Sequence, residues 1–263
     1  MSATPYESYV ICTSPRSGST LLCKLLAATG VAGKPESYFH EPSIADWRED
    51  IGLAPDASAS EHALLSEVFS AVIAEGRGGA DVFGLRLQRH SFDFFIEKLA
   101  VLHPRPATDR ERFETAFGRT LFIHLAREDK VEQAVSYVKA EQSGLWHRAP
   151  DGSELERLSP PRELRYDPDL VGRQVEAMAA MDAAWIDWFE REGIAPLRLA
   201  YDRLAADPVG TLAVVLKELG LDASAASGVK PGVAKLADET SRQWVARFRA
   251  EQGARDRSDL PRP

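Results

Sequence analysis

Apolar positions recur along this chain in two alternating rhythms. Short continuous runs at Tyr9–Cys12, Asp81–Leu87, Thr120–Ala126 and Pro196–Ala200 read as buried strands. Between them lie stretches whose apolar residues share one helical face. Ser19–Thr29 brings Leu21, Leu22, Leu25 and Leu26 together, with Gly30 as a stop. Helices are also expected over 130–143, with Ala134, Val135 and Val138 inward, and over 169–192. In the latter, Met178, Met181, Trp185, Trp188 and Phe189 form a stripe that reads as core. Asp207-Pro208 opens a further helix running to Gly220, with Pro in its first turn and Gly past its end. A last helix is expected over 240–251. Segments 41–60, 103–118 and 148–168 mix Pro, charge and small residues and receive no element. Such segments either cover a binding face or are solvated insertions, and the pattern does not separate the two.

Strands alternating with helices predict an α/β fold: a mainly parallel central sheet with helices on both faces, beginning with a P-loop-like strand–loop–helix. The 263 residues, 44% of them hydrophobic, suffice for one large domain, expected to span 1–263. The net charge is −8 and no basic run or basic-aromatic stripe occurs, which argues against a nucleic-acid partner. An anionic ligand would therefore need a local cluster of cations and backbone N–H groups. The two cysteines, Cys12 and Cys23, form no CxxC pair, so no metal site is expected and buried free thiols are. The first residues lack a charged segment followed by an apolar run, and no stretch approaches about 18 apolar residues. A cytoplasmic protein without membrane insertion is the expectation.

The segment Thr13-Ser-Pro-Arg-Ser-Gly-Ser-Thr20 keeps the spacing of GxxxxGK[ST], with Thr13 for the first Gly and Ser19 for the Lys. A strand-to-helix loop aims successive N–H groups and the helix dipole at one point, which favours an anion. Gly18 permits close backbone approach, Ser17, Ser19 and Thr20 add hydroxyls, and Arg16 adds a forked permanent cation. The bland alternative is a polar turn with an exposed Arg. The missing Lys and the absence of a second, acidic phosphate-site strand disfavour an Mg²⁺-dependent kinase or ATPase.

The run S-P-R-S-G-S-T-L-L, followed by A-A-T-G-V-A-G-K-P35, resembles the sulfotransferase superfamily that uses 3′-phosphoadenosine-5′-phosphosulfate. Within it, the likeness is to the bacterial trehalose 2-sulfotransferase-like carbohydrate and glycolipid branch. His124-Leu-Ala-Arg127, then Gln133-Ala-Val-Ser136 and Trp146, is similar to that branch's H-x-x-R…Q-A-V-S motif. The resemblance implies that Arg127 and Ser136 bind the donor's 3′-phosphate. Arg127 also follows a strand at its carboxyl end, where open α/β sheets bind ligands; its competing fate is an ion pair with Glu128 or Glu132. His124 reads better as a core histidine or one that backs a ligand-contacting residue, and Gln142 and Trp146 match as well. In the tail, Arg242, Trp244 and Arg247 match the family's closing segment, and a solvated amphipathic helix explains them equally.

In the family the general base is a Glu after a G-x-P turn. Here the turn reads Gly33-Lys-Pro35-Glu36-Ser37-Tyr38-Phe39-His40-Glu41, so Ser37 fills the family's Glu position and the acid stands one place earlier. Glu36 is the expected base, with His40 or Glu41 as alternatives and loss of activity as a third. Arg16 is expected to stabilise the leaving phosphate. The resemblance puts Pro15, Pro35, Ser37, Tyr38 and Phe39 on the acceptor side. Pro15 replaces the Gln that the trehalose branch tends to carry, and Arg86 stands where the family often has Lys. The implied acceptor is a carbohydrate or glycolipid hydroxyl, the implied donor is 3′-phosphoadenosine-5′-phosphosulfate without a metal, and a homodimer is implied by resemblance alone. The alternative is a degenerate P-loop nucleotide-binding protein or kinase without sulfotransferase activity.

Overall fold

The computed structural model describes residues 5–258. The chain divides into two compact units: residues up to Ala126 together with Met181–Pro231, and Arg127–Ala180 together with the residues from Gly232 on.

The first unit is built on a four-stranded, all-parallel sheet. Its strands are β1 (Ser8–Thr13), β2 (Phe83–Gln88), β3 (Thr120–Ala126) and β6 (Leu197–Ala200), in the order β2-β1-β3-β6. β1 is buried at every position, as a central strand must be, and pairs Thr13 with Gln88 on one side and Leu125 on the other. Its side chains alternate between two cores. Val10 and Cys12 join Phe83, Leu85, Leu87 and Phe122 against α2 (Ile44–Asp50), α3 (Glu61–Arg77), α4 (Arg89–Leu102) and α5 (Asp109–Phe117). Tyr9 and Ile11 join Leu121, Ile123 and Leu125 against α1 (Ser19–Ala28), α8 (Tyr201–Ala206) and α9 (Pro208–Glu218). The expected α/β architecture with helices on both faces is therefore present. From β1 the chain moves to β2 at one edge, then returns past β1 to β3 on the other side. The point between β1 and β3 is thus the topological switch, where ligand crevices form in open sheets.

In the second unit, α6 (Lys130–Ser143) packs on α10 (Glu239–Ser258) through Ala134, Val135, Val138, Trp244, Val245 and Phe248. An antiparallel hairpin, β4 (Leu145–Arg148) with β5 (Glu154–Arg157), follows α6. Helix α7 (Pro168–Arg191) begins in this unit and ends in the first. Of its expected stripe, Met178, Trp185, Trp188 and Phe189 are buried in the core, while Met181 is only partly buried. Among the described residues, no helix is long and apolar enough to cross a membrane.

Three unassigned segments hold structure. Residues 41–60 contain α2, which Ser43 caps through the Asp46 N–H. Residues 103–118 contain α5, begun by a capping box in which Thr108 and Glu111 satisfy each other's backbone N–H. Residues 148–168 contain β5. Helices α3 and α4 stand where no element was expected, and α3 carries a plain amphipathic stripe of Leu65, Val68, Phe69 and Val72.

Candidate active site

The loop 14–18 leaves the sheet at the carboxyl end of β1 and enters α1 directly, so the N–H groups of the first helical turn face the strand end. Two residues give the loop its curvature. Gly18 has φ 85°, and Arg16 has φ 62°, the one non-glycine with positive φ among the described residues. A left-handed residue without glycine costs about 1–2 kcal/mol, which the surroundings must offset.

Those surroundings are visible. Thr13 Oγ1 gives its single proton to the Leu125 carbonyl at 2.8 Å, so in its contact with Ser17 it accepts and Ser17 donates. Ser17 is fully buried; its hydroxyl shapes the loop. Ser14 donates to Asp182 Oδ1 at 2.9 Å, and Trp185 Nε1 donates to the Thr13 carbonyl at 2.9 Å. The C-terminal part of α7 thus braces the loop from behind, a role its sequence stripe did not disclose. The Tyr201 ring packs against Gly18: a Cβ there would fall 2.5 Å from it. Ser19 is buried, while Pro15, Arg16 and Thr20 are partly exposed.

The turn carrying Glu36 lies beside this loop. Gly33 has φ 70° and no room for a Cβ, which would stand 2.5 Å from the Gly76 carbonyl. Pro35 is buried against Gly84 of β2. Glu36 forms a parallel bridge with Leu85, its carbonyl accepting from the Arg86 N–H at 3.0 Å, so the turn is pinned to the sheet. The Glu36 side chain is 54% exposed and its carboxylate lies 3.9 Å from the Arg86 guanidinium. Arg86 also donates to Ser37 Oγ at 2.6 Å and Thr20 Oγ1 at 2.7 Å. The structure therefore brings together Thr20, Arg86, Glu36 and Ser37. The Tyr38 hydroxyl donates to the Lys34 carbonyl at 2.7 Å, and burial pushes its phenol above the ordinary value. Phe39 sits in the core against Trp47, Phe69 and Phe95 with 1% exposure. His40 is exposed, edge-on to His90 and 3.8 Å from Glu41. Burial first, and then His40, lower the pKa of His90.

In the second unit, Arg127 is buried and its Nη2 donates to Glu132 Oε2 at 2.5 Å, the ion pair weighed for it from sequence. Ser136 lines a cavity of about 240 Å³ with Lys139, Ser143, Arg148, Lys235, Asp238 and Ser241. The Lys139 ammonium is paired there with Asp238 and with Ser241 Oγ. Burial alone would raise the Asp238 carboxyl, but the hydrogen bonds from Lys139 and Ser241 outweigh it and lower the pKa to about 2. Neither Lys139 nor Asp238 was marked from sequence; the i, i+3 spacing of Ser136 and Lys139 was the available signal.

The remaining motif residues make contacts within the protein. Gln142 holds the Arg165 backbone through both amide atoms, at 3.0 and 2.8 Å. Trp146 is edge-on to Tyr137 and Trp244 edge-on to Tyr166. Arg242 pairs with Glu239 and Arg247 with Glu251. In the first unit, His124 is buried edge-on to Phe189, a core position as expected. Among the described residues, no group of three or more His, Cys, Asp or Glu is placed to hold a metal ion.

Comparison with known proteins adds to this geometry. The chain is 28% identical over 263 aligned positions to trehalose 2-sulfotransferase of Mycolicibacterium smegmatis, covering 93% of this chain and 95% of that protein. It is 29% identical over 262 positions to trehalose 2-sulfotransferase of Mycobacterium tuberculosis, covering 92% and 94%. The solved sulfotransferase domain of the Synechococcus PCC 7002 olefin synthase superposes with a TM-score of 0.47 and 17% identity, over 100% of this chain and 91% of that one. The sequence model of the family described as Stf0 sulphotransferase matches residues 8–251, from β1 into α10. With the match running through the loop 14–18, the Glu36 turn and the Arg127–Ser136 motif, this chain is a sulfotransferase and belongs to the Stf0 sulphotransferase family.

Proposed function

We propose that the chain, as one sulfotransferase domain, moves a sulfuryl group from 3′-phosphoadenosine-5′-phosphosulfate to a hydroxyl of a carbohydrate acceptor. The observation that carries this reading is the braced anion loop at the carboxyl end of β1, in a chain of the Stf0 family. The loop residues Arg16, Ser17, Gly18, Ser19 and Thr20 take the donor's 5′-phosphosulfate. By motif, Arg127 and Ser136 take its 3′-phosphate. The acceptor oxygen forms the new S–O bond as the bond from sulfur to the 5′-phosphate oxygen breaks. Glu36 takes the acceptor's proton, and Arg16 stabilises the charge left on the phosphate. The exposed Glu36 carboxylate on a main chain pinned to β2 suits a base that must meet an incoming hydroxyl. Pro15, Ser37 and Tyr38 border the acceptor, while buried Pro35 and Phe39 hold the turn. Two relatives named for trehalose sulfation make a sugar the acceptor of choice.

Calorimetry with 3′-phosphoadenosine-5′-phosphate tests the donor assignment: Arg16→Ala and Arg127→Ala each weaken binding by about tenfold or more. Unchanged affinity in both variants refutes it. A sugar panel beginning with trehalose tests transfer. Glu36→Gln keeps product binding and loses about 100- to 10,000-fold in kcat; full activity in that variant moves the base to His40 or Glu41.

A further inference from the structure

One guanidinium in the first unit serves the anion loop and the acceptor turn at once. We propose that Arg86 is a positioning residue for transfer, fixing the Glu36–Ser37 turn against Thr20 of the anion loop. This inference rests on the sulfotransfer reading above.

Arg86 stands on β2 in register with Ile11 of β1, on the face turned to α1. Its side chain is 13% exposed. Nε donates to Ser37 Oγ at 2.6 Å, Nη1 donates to Thr20 Oγ1 at 2.7 Å, and Nη2 lies 3.9 Å from Glu36 Oε2. Its own N–H holds the Glu36 carbonyl at 3.0 Å. Every nitrogen of this residue therefore faces one of the two segments that the reaction must hold apart at a set distance. A guanidinium has donors and no acceptor, so both hydroxyls accept from it and direct their own protons elsewhere. That fixes the rotamers of Thr20 and Ser37 as well as their separation. The fork is planar and rigid, so its two edges cannot be satisfied with the segments displaced; a lysine offers one point charge on a flexible stem and cannot reproduce it. In-line transfer rewards such placement, and a displacement of about 1 Å costs about 100-fold in rate.

The test uses the full chain with Arg86→Met, Arg86→Lys and Arg86→Ala. With wild-type turnover established, Arg86→Met is expected to lower kcat by about 100-fold. KM for the donor and calorimetric affinity for 3′-phosphoadenosine-5′-phosphate should stay within about threefold. Arg86→Lys should recover less than about tenfold of the loss, and added methylguanidinium should raise kcat of Arg86→Ala by about tenfold, which a purely structural role would not allow. A kcat within twofold of wild type in Arg86→Met overturns the proposal, as does a loss that no guanidinium rescues. Hydrogen exchange on the ligand-free protein decides it apart from activity. In Arg86→Met, amides of 16–24 and 33–40 should lose protection together while β3 and α9 keep theirs. Loss in only one segment, or in neither, overturns the clamp even if the wild type proves inactive. Inactivity with no donor-product binding in the wild type overturns the sulfotransfer reading instead.

Discussion

Gly18→Ala perturbs the loop between β1 and α1 where Tyr201 packs against it, and its cost can be worked from two terms. Gly18 has φ 85° and ψ 10°, so alanine there carries the left-handed penalty of about 1–2 kcal/mol. The new Cβ would stand 2.5 Å from Tyr201 Cδ2 and 2.9 Å from Cε2. Carbon pairs rest at about 3.5–4.0 Å, so ring and loop must separate by about 1 Å. Overpacking of that kind costs about 1–3 kcal/mol. The total is about 2–5 kcal/mol, a large share of a typical domain's stability of about 5–15 kcal/mol. Urea unfolding measures it, and calorimetry with 3′-phosphoadenosine-5′-phosphate reports whether the loop has moved. The two terms separate in a double-mutant cycle. With Tyr201→Ala already in place the steric term vanishes and the backbone term stays, so Gly18→Ala should then cost only about 1–2 kcal/mol. A Gly18→Ala protein within about 0.5 kcal/mol of wild type, or a cycle additive within that margin, would refute the reasoning.

Further expectations follow from the same geometry. Trp185→Phe keeps an aromatic ring in the core but removes the donor to the Thr13 carbonyl; stability should fall by about 1–3 kcal/mol in urea titration, and donor-product affinity with it. Asp238 has a folded pKa of about 2, below its ordinary 3.8, so its contribution is complete above 3.8 and disappears as pH falls through about 2. Acid titration of Asp238→Asn should therefore show a flatter loss of stability over that window than wild type; identical curves would remove the Lys139–Asp238 pair from the account. Cys12 and Cys23 are buried, and burial pushes the Cys23 thiol up to about 12. Neither should react with Ellman's reagent until the protein is unfolded, and rapid labelling of the native protein would contradict the burial.

The readable parts of the fold were those where one physical signal dominates. β1, β3 and α1 are short apolar runs or single-faced helices, and their bounds in the structure lie within two residues of the pattern. Helix α5 was missed because its apolar face is thin, with only Phe113 and Phe117 buried, so tertiary packing and a capping box hold it rather than periodicity. Helix α2 is short and depends on Ser43 and on Trp47 filling the core beside Phe39. Helix α3 is different: its buried stripe of Leu65, Val68, Phe69 and Val72 follows helical spacing and is plain in the sequence. At the site, Arg16–Thr20 and Glu36–Ser37 were visible because motif spacing is local. The family resemblance puts Phe39 on the acceptor side, whereas its ring packs in the aromatic core.

The sequence by itself determined the alternation of strands and helices, the position of the strand–loop–helix at residues 8–28, and membership in a sulfotransferase line, because each depends on residues close together in the chain. Only the tertiary structure decided what braces that loop and what it is tied to. Asp182, Trp185 and Tyr201 reach it from about 170 to 185 residues away, and Arg86 joins it to Ser37 across a parallel strand. Such contacts depend on sheet order and register, which parallel pairing sets between distant segments and which no local pattern encodes.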